Sequence, residues 1–341
     1  MAPAGMKEVT EMESETGKQS SFGTAAYGGA GWVPRQKPHA QELGSHWAPY
    51  RIDSEWRRLK AVLVHAPGPE LADDLDPEEA LMLEPLDSGR ARDEHAAICE
   101  AYRDAGVDVH HVQPDGQATP NQMFCADLFV MTPQGAILAR PAGEARAGEE
   151  RAVARRLADI GVPILKTLTG SATFEGADLM WLDERTAMIG RGHRTNQAAI
   201  DQITTVLAEI GCETLPVDMP FGTMHFMGML RTIDRNLAVC WPRRTPLATV
   251  RALQERGYDV IFPPYEDDSP SYRAMNFVTL GPRRILMVAG LGKYQDFLER
   301  HQIECIPVGT DELSKAAGSV GCLTGVLARE TADTGLTGRG R

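Results

Sequence analysis

The sequence predicts an α/β protein made of five copies of one structural unit. Short apolar runs alternate with amphipathic helical segments, and each helical segment ends in a residue suited to a left-handed backbone, followed by another apolar run. These end residues lie 45 to 55 residues apart, a spacing typical of a repeated supersecondary unit. They are Gly106, Gly161, Gly211, Gly257 and Gln302. An ordinary α/β domain whose helices often end in Gly is the alternative, and the recurring strand after each helix favours the repeat.

Each unit is predicted to contain a strand that leads into a helix, a strand after the helix, and one connecting strand. The apolar runs that lead into the helices are 61–65, 136–140, 186–189, 237–241 and 284–288. The predicted helices are 90–105, 144–160, 195–210, 246–256 and 293–301.

The composition is that of an ordinary globular protein with an acidic surface. Hydrophobic residues make up 43% of the chain, charged residues 24%, and the formal net charge is −12. An acidic surface repels phosphate backbones, which argues against nucleic acid and favours a small cationic substrate. The six cysteines form no C-x-x-C pair and no metal-ligand spacing, so we expect no disulfide framework, no metal and no cofactor.

The ends of the chain differ in composition from its middle. Residues 1–45 are rich in Gly, Ser, Glu, Lys and Ala, without the apolar segment of a signal peptide, and are predicted to be a mobile arm. Residues 46–330 are predicted to form a single catalytic domain, and residues 331–341 a flexible tail. No stretch reaches membrane-spanning length. The sequence therefore predicts a cytoplasmic protein that does not bind membranes, with a homodimer left open.

Polar residues placed beside strands recur at the same spacing as the helix ends. If five units surround one axis, side chains at equivalent positions converge in a single pocket. In such a pocket an imidazolium at His225 would stabilise a thiolate at Cys322. Two carboxylates can both stay charged there if the ligand is a guanidinium, whose planar fork of N–H donors matches them. The five residues, 46 to 51 positions apart, are Asp127, Glu175, His225, Asn276 and Cys322.

Taken singly, each of these residues also has an ordinary structural explanation. A cysteine beside Gly321 and Leu323 is more often a small core residue, and His225 a hydrogen-bonded core histidine. The two acids suit helix caps or surface charges, and Asn276 suits a turn or a bond to the backbone. Their shared spacing is what favours a functional site.

Several segments resemble the guanidino-group-modifying, or pentein, superfamily, which contains arginine deiminases, dimethylarginine dimethylaminohydrolases and amidinotransferases. The segment 56–71 is similar to a first strand of that superfamily, and 174–178 to its E-G-G-D segment. Further matches are 191–196, Met224-His225 with Ile233-Asp234-Arg235, and Cys322-Leu323-Thr324 followed by Arg329-Glu330. The resemblance implies the pentein fold, a five-bladed α/β propeller with the site on its pseudo-fivefold axis.

The resemblance also implies roles for individual residues. Cys322 would attack the guanidinium carbon, and His225 would protonate the departing amine. Glu175 would orient His225 and share with Asp127 the binding of the guanidinium nitrogens. The residues that the resemblance places in contact with substrate are Asp127, Asp178, Arg146, Arg194, Met227 and Asn276.

Two departures from the superfamily pattern bear on the substrate. Deiminases and many transferases carry a carboxylate two residues after the histidine, where this chain has Met227. An apolar wall at that position suits an N-alkylated guanidine. Deiminases also place an arginine shortly before the cysteine, and residues 316–321 contain none. Arg146 and Arg194 resemble other carboxylate-binding positions.

The sequence therefore predicts a cysteine-dependent hydrolase of arginine, an N-substituted arginine or an analogue. A covalent thiouronium intermediate would give a ureido product and an amine or ammonia. An amidinotransferase, which passes the same intermediate to an acceptor amine, is the first alternative. A non-catalytic guanidine-binding propeller is the second, and the Cys322 and His225 pair argues against it because binding needs no nucleophile.

Overall fold

The computed structural model describes residues 21–71, 75–116, 118–264 and 271–332. The chain falls into two units, one ending at Pro38 and the other beginning at His39, ahead of the predicted boundary at residue 45. The described part of the first unit contains two short 3-10 turns, Ser21–Gly23 and Ala25–Tyr27. Residues 1–20 of the predicted arm and 333–341 of the predicted tail lie outside the described residues.

The described strands of the second unit form five three-stranded sheets that share one pattern of pairing. In every sheet an inner strand pairs antiparallel with a middle strand, which pairs parallel with an outer strand. The sheets are β3-β4-β5, β6-β7-β8, β9-β10-β11, β12-β13-β14 and β15-β1-β2. The strands are β1 (Leu59–Val64), β2 (Asp108–His111), β3 (Phe129–Thr132), β4 (Gly135–Leu138), β5 (Ile164–Thr167), β6 (Leu179–Asp183), β7 (Thr186–Arg191), β8 (Glu213–Asp218), β9 (Leu230–Asp234), β10 (Leu237–Cys240), β11 (Asp259–Ile261), β12 (Val278–Gly281), β13 (Arg284–Val288), β14 (Glu304–Val308) and β15 (Gly325–Arg329).

A helix joins the middle strand to the outer strand of each sheet, as a parallel pair requires. Two further short helices, α5 and α7, precede the inner strands β12 and β15. No helix in the described ranges is both long enough and apolar enough to span a membrane. The helices are α1 (Ser88–Asp104), α2 (Glu149–Asp159), α3 (Gln197–Glu209), α4 (Leu247–Glu255), α5 (Ser271–Ala274), α6 (Gly292–Arg300) and α7 (Val320–Leu323).

The helix ends confirm the predicted left-handed residues. Positive φ angles occur at all five positions, from +62° at Gln302 to +81° at Gly257. Gln302 keeps the conformation without glycine, at a cost of about 1 kcal/mol. The second helix begins later than predicted, at Glu149, because Gly148 has φ +94° and interrupts the segment. The residues before it, Glu144–Arg146, form a separate 3-10 turn.

The last sheet joins the two ends of the second unit. Its inner strand β15 comes from the C-terminal end, and its middle strand β1 comes from the N-terminal end. Leu59 pairs with Arg329 and Leu63 pairs with Gly325. The fifth copy of the repeated unit is therefore completed by residues about 265 positions apart.

The inner strands of all five sheets border one internal cavity. Each of the five sheets contributes at least one residue to the lining of this cavity. Examples, one from each inner strand in chain order, are Phe129, Leu179, Thr232, Val278 and Val326.

Candidate active site

The five side chains predicted to converge lie at equivalent places in the fold, just before the five inner strands. Asp127 ends a 3-10 turn before β3, and Glu175 precedes a similar turn before β6. His225 precedes the turn that leads to β9. Asn276 follows α5 and leads to β12, and Cys322 lies in α7 before β15. The repeated topology therefore gives each sheet one candidate polar group at the same end.

Cys322 is held by the amide of Asn276. The Asn276 Nδ2 donates to Cys322 Sγ at 3.1 Å, and Asn276 Oδ1 accepts from the Cys322 backbone N–H at 3.0 Å. Both residues are 8% exposed, so Sγ is nearly enclosed but still reaches a cleft. Asn276 therefore fixes the position of the sulfur and offers it a hydrogen bond.

His225 is paired with Glu175 in a buried contact. His225 Nε2 lies 2.6 Å from Glu175 Oε2, and both side chains are almost wholly enclosed. Burial disfavours the charged imidazole, but the charges of Asp127 and Glu175 outweigh it and raise the pKa of His225 to about 9. Burial alone would raise the pKa of Glu175, yet the bond from His225 and the nearby cations lower it to about 2. Near neutral pH the pair is an imidazolium beside a carboxylate.

Arg146 is the centre of a buried group of acids. Its side chain bonds to Asp127 at 2.8 Å, to Glu149 at 2.9 Å and to Glu175 at 3.3 Å. Arg194 adds a second cation, 3.4 Å from Glu175. Carboxylates taken out of water need such compensation to stay ionised. Arg146 and Arg194 thus balance much of the negative charge beneath the site.

Asp127 retains one oxygen for a ligand. Its Oδ2 accepts from Arg146, whereas its buried Oδ1 has no hydrogen-bond partner and lies 3.8 Å from His225 Nδ1. The ligand atoms of Asp127, Glu175 and His225 lie within 4.8 Å of one another, a spacing that a metal ion could use. Because Arg146 already places a cation on both carboxylates, the site has less need of a metal than of an N–H donor at Oδ1.

Two clefts meet at the candidate nucleophile. They enclose about 330 and 380 Å³, including space open to solvent. Both are lined by Met224, His225, Ala317 and Cys322. The first, here called the polar cleft, is also lined by Leu81, Asn121, Phe124, Asp127, Arg146, Arg194, Ala316 and Gly318. The second, the methionine cleft, is also lined by Met227, Gly228, Arg231, Met275 and Asn276.

Two predicted substrate contacts lie outside the lining of both clefts. Asp178 is fully buried, and its oxygens accept from the Thr195 hydroxyl at 2.6 Å and the Phe226 N–H at 2.9 Å. Burial raises the pKa of Asp178 to about 7. Glu175 is likewise enclosed, and its oxygens are taken by His225, Arg146, Arg194 and the Ala142 N–H. Asp178 anchors the turn after His225, and Glu175 is placed to orient the imidazole.

The thiol of Cys322 is not ionised by its own surroundings. Burial raises its pKa, and the charge of Asp127 raises it further. The Asn276 amide, the Ser319 backbone bond and the Arg231 charge act in the opposite direction without reversing the shift. A cation arriving in the polar cleft would also favour the thiolate.

Sequence reasoning missed two charged residues of this region. Glu149 is 1% exposed and bonds to Arg146, three residues earlier, across the interruption at Gly148. Arg231 borders the methionine cleft six residues after His225. Side chains alternate between the two faces of a strand, and this alternation was the available signal for Arg231 in β9. The sequence did not indicate which of the two faces points inward.

Comparisons with known proteins place the chain among the enzymes that modify guanidino groups. It belongs to the family described as N,N dimethylarginine dimethylhydrolase, eukaryotic, whose model matches residues 84–328. The dimethylarginine dimethylaminohydrolase of Streptomyces coelicolor is 27% identical, over 80% of this chain and 99% of that protein. The enzyme of the same name from Pseudomonas aeruginosa is 24% identical, over 78% of this chain and 98% of that protein.

Solved structures share the fold. A dimethylarginine dimethylaminohydrolase adduct with 4-chloro-2-hydroxymethylpyridine matches with a TM-score of 0.66 and 24% identity, over 80% of this chain and 100% of that one. An amidinotransferase from Microseira wollei matches with a TM-score of 0.70 and 16% identity, over 84% and 98%. The predicted superfamily and enzyme class are confirmed, and the α/β fold is that of these enzymes.

Proposed function

We propose that this enzyme hydrolyses an N-substituted arginine, or a closely similar guanidine, through a covalent intermediate on Cys322. The observation that carries the proposal is that Cys322, His225 and Asp127 border one cleft, with Arg146 and Arg194 at its polar side. The free oxygen of Asp127 would accept from the substrate guanidinium, and the two arginines would face a carboxylate. The dimethylarginine named for its relatives has both groups.

In the first half-reaction the substrate cation favours the thiolate of Cys322, and the thiol proton passes to solvent because His225 already carries one. The thiolate attacks the guanidinium carbon and forms a neutral tetrahedral adduct. The substituted nitrogen then takes the proton of His225 and leaves as an amine, as the C–N bond breaks. An amidino-thioether remains on Cys322. Glu175, already bonded to His225 at 2.6 Å, would keep the imidazole oriented and charged for this transfer.

The second half-reaction consumes one water molecule. Neutral His225 takes a proton from the water, whose oxygen attacks the amidino carbon. The C–S bond then breaks, the adduct's hydroxyl proton passes to the departing sulfur, and a ureido product forms. His225 is left protonated, as it began.

We also propose the finer architecture that the sequence predicts, a five-bladed α/β propeller. Three features support it: five sheets with one pairing pattern, one cavity bordered by all five inner strands, and the pairing of β15 with β1. The single catalytic domain over 46–330, the cytoplasmic location and a homodimer stay predictions.

The test is a product analysis with a panel of arginine, N-methylated arginines, agmatine and guanidino acids, with and without acceptor amines. We expect a ureido product without any acceptor, and by intact mass an adduct absent from Cys322→Ala. Product formed only when an acceptor amine is supplied would replace hydrolysis by amidino transfer. Binding without adduct or turnover on any candidate would leave the guanidine-binding alternative.

A further inference from the structure

Arg231 is a cation that lies close to the candidate nucleophile, and no anion among the described residues is paired with it. It lies in β9, its Nε donates to the Met275 carbonyl at 3.0 Å, and its guanidinium carbon lies 5.7 Å from the centre of the Phe277 ring. Its Nη2 is buried and has no hydrogen-bond partner. Within the described parts of the chain, no carboxylate forms an ion pair with it.

The guanidinium packs against the residue that precedes Cys322. A Cβ on Gly321 would lie 2.4 Å from Arg231 Nη2 and 2.9 Å from Asn276 Oδ1, so both groups occupy the space that a side chain would fill. Arg231 also borders the methionine cleft together with Cys322. The missing side chain of Gly321 therefore lets a cation and an amide approach the nucleophile from the same side.

A buried charged donor that lacks an acceptor destabilises the resting protein, so its retention calls for a reason. Enzymes commonly place fixed charges where a charge appears only during the reaction. We propose that the anion missing from Arg231 is the thiolate of Cys322, which Arg231 stabilises as a fixed positive charge. This inference rests on the proposed role of Cys322 as nucleophile. Arg231 acts through the sulfur and is a positioning residue.

The charges around both groups are consistent with this role. Burial raises the pKa of the Cys322 thiol and the charge of Asp127 raises it further, while the Asn276 amide and Arg231 favour ionisation. His225 faces the same clefts. Burial lowers the pKa of Arg231, and the neighbours that favour its charged form are Cys322, Glu55, Tyr102 and Tyr294. Arg329 is a second cation nearby.

The test measures thiol ionisation directly, without substrate. Iodoacetamide alkylation of the Cys322 peptide is followed by mass spectrometry from neutral to alkaline pH, which separates it from the other five cysteines. Arg231→Gln removes the charge and keeps an amide donor for the Met275 carbonyl. We expect the midpoint of alkylation to rise by about one pH unit, and the rate below the midpoint to fall about tenfold. Arg231→Lys, which keeps the charge, restores most of that rate.

The matched control is Arg329→Gln, which removes another buried guanidinium that borders the internal cavity but bonds to the carbonyls of Arg57 and Thr279. We expect it to leave the midpoint unchanged. If Arg231→Gln does not fold in thermal unfolding, Gly321→Ala in an Asn276→Ala background supplies the second route. The new Cβ then displaces the guanidinium after the amide that it would also press on has been removed, and we expect the midpoint to rise above that of Asn276→Ala.

An unchanged midpoint in folded Arg231→Gln, or a midpoint no higher than that of Asn276→Ala where the double variant is used, overturns the inference. An equal shift in Arg329→Gln also overturns it, because the effect would then be a general loss of buried charge. These results leave the proposed hydrolysis standing. Conversely, turnover retained in Cys322→Ala overturns the proposed function, whatever the alkylation midpoint does.

Discussion

The polar cleft and the methionine cleft share Met224, His225, Ala317 and Cys322 but differ in the chemistry of the other residues that line them. In the polar cleft, charged groups are fixed by one another, as in the 2.8 Å contact between Arg146 and Asp127. Met227 and Met275 line the methionine cleft and not the polar one, and methionine side chains are flexible and polarisable. Rigid charges suit a ligand of fixed geometry, whereas methionines adapt to apolar groups of varied shape.

The difference indicates how a substrate would be oriented under the proposed reaction. Its constant part, the guanidinium edge and carboxylate, would lie in the polar cleft. Its variable part, the substituted nitrogen that leaves, would lie against the methionines. An unsubstituted nitrogen there would leave N–H groups without acceptors, which costs binding energy. Binding of the constant part and selection of the substituent are thus assigned to opposite sides of one sulfur.

Asp127→Asn should have the largest effect, because it removes the charged acceptor from the polar cleft. Breaking a buried charge pair costs about 3–5 kcal/mol, so we expect kcat/KM to fall by about 10²–10³-fold. Steady-state kinetics measures this. Glu149→Gln is the control, since it also removes a carboxylate from Arg146 but lies outside both clefts. Equal losses in the two variants would mean that Asp127 only supports Arg146.

Met227→Asp should make the methionine cleft resemble the polar one. A carboxylate at this position accepts from an unsubstituted guanidinium nitrogen and opposes burial of an alkyl group. We expect the ratio of kcat/KM for arginine to that for dimethylarginine to rise by about 10–100-fold. Competition between the two substrates measures the ratio, and Met227→Leu is the apolar control. A ratio that does not move would place the leaving amine elsewhere.

Glu175→Gln tests the charge of His225, which lines both clefts and bonds to Glu175. It removes a carboxylate that raises the pKa of His225 to about 9, so the imidazolium should lose its proton at lower pH. Because the proposed acid must be protonated, the alkaline decline of kcat should move down by about one to two pH units. NMR titration of the His225 ring gives an independent readout. The control is Glu149→Gln, which removes a buried carboxylate that bonds to Arg146 and not to His225. An unmoved titration in Glu175→Gln would contradict the assignment.

Asn276→Ala should give the smallest effect of this series. It removes the 3.1 Å bond to Sγ but leaves Arg231 and both clefts in place. A hydrogen bond to a charged group contributes about 1.5–3 kcal/mol, and partial replacement by water reduces the loss, so we expect an about tenfold slower alkylation of Cys322. Asn276→Asp keeps the shape but introduces a negative charge beside the sulfur, and should react more slowly still. Faster alkylation in either variant would argue against the bond.

Much of the fold was available from local sequence signals. Helices commonly end in a residue with left-handed backbone angles. This signal recurs five times in the sequence, and the structure has positive φ angles at Gly106 and its four equivalents, including Gln302. The predicted start of α2 at residue 144 is wrong, because Gly148 interrupts the helical segment and α2 begins at Glu149. A helix boundary of this kind depends on the φ angle of a single residue, and that angle depends in turn on the packing of neighbouring residues.

The sequence by itself determined the period, the superfamily and the residues at equivalent ends of five units, because spacing and residue type are local. Tertiary structure decided which of those residues face a cleft. It enclosed Glu175 and Asp178, left one buried oxygen of Asp127 without a hydrogen-bond partner, and set Arg231 against Gly321, the residue before Cys322. Those outcomes depend on side-chain direction and on burial by elements far along the chain, which no local pattern encodes.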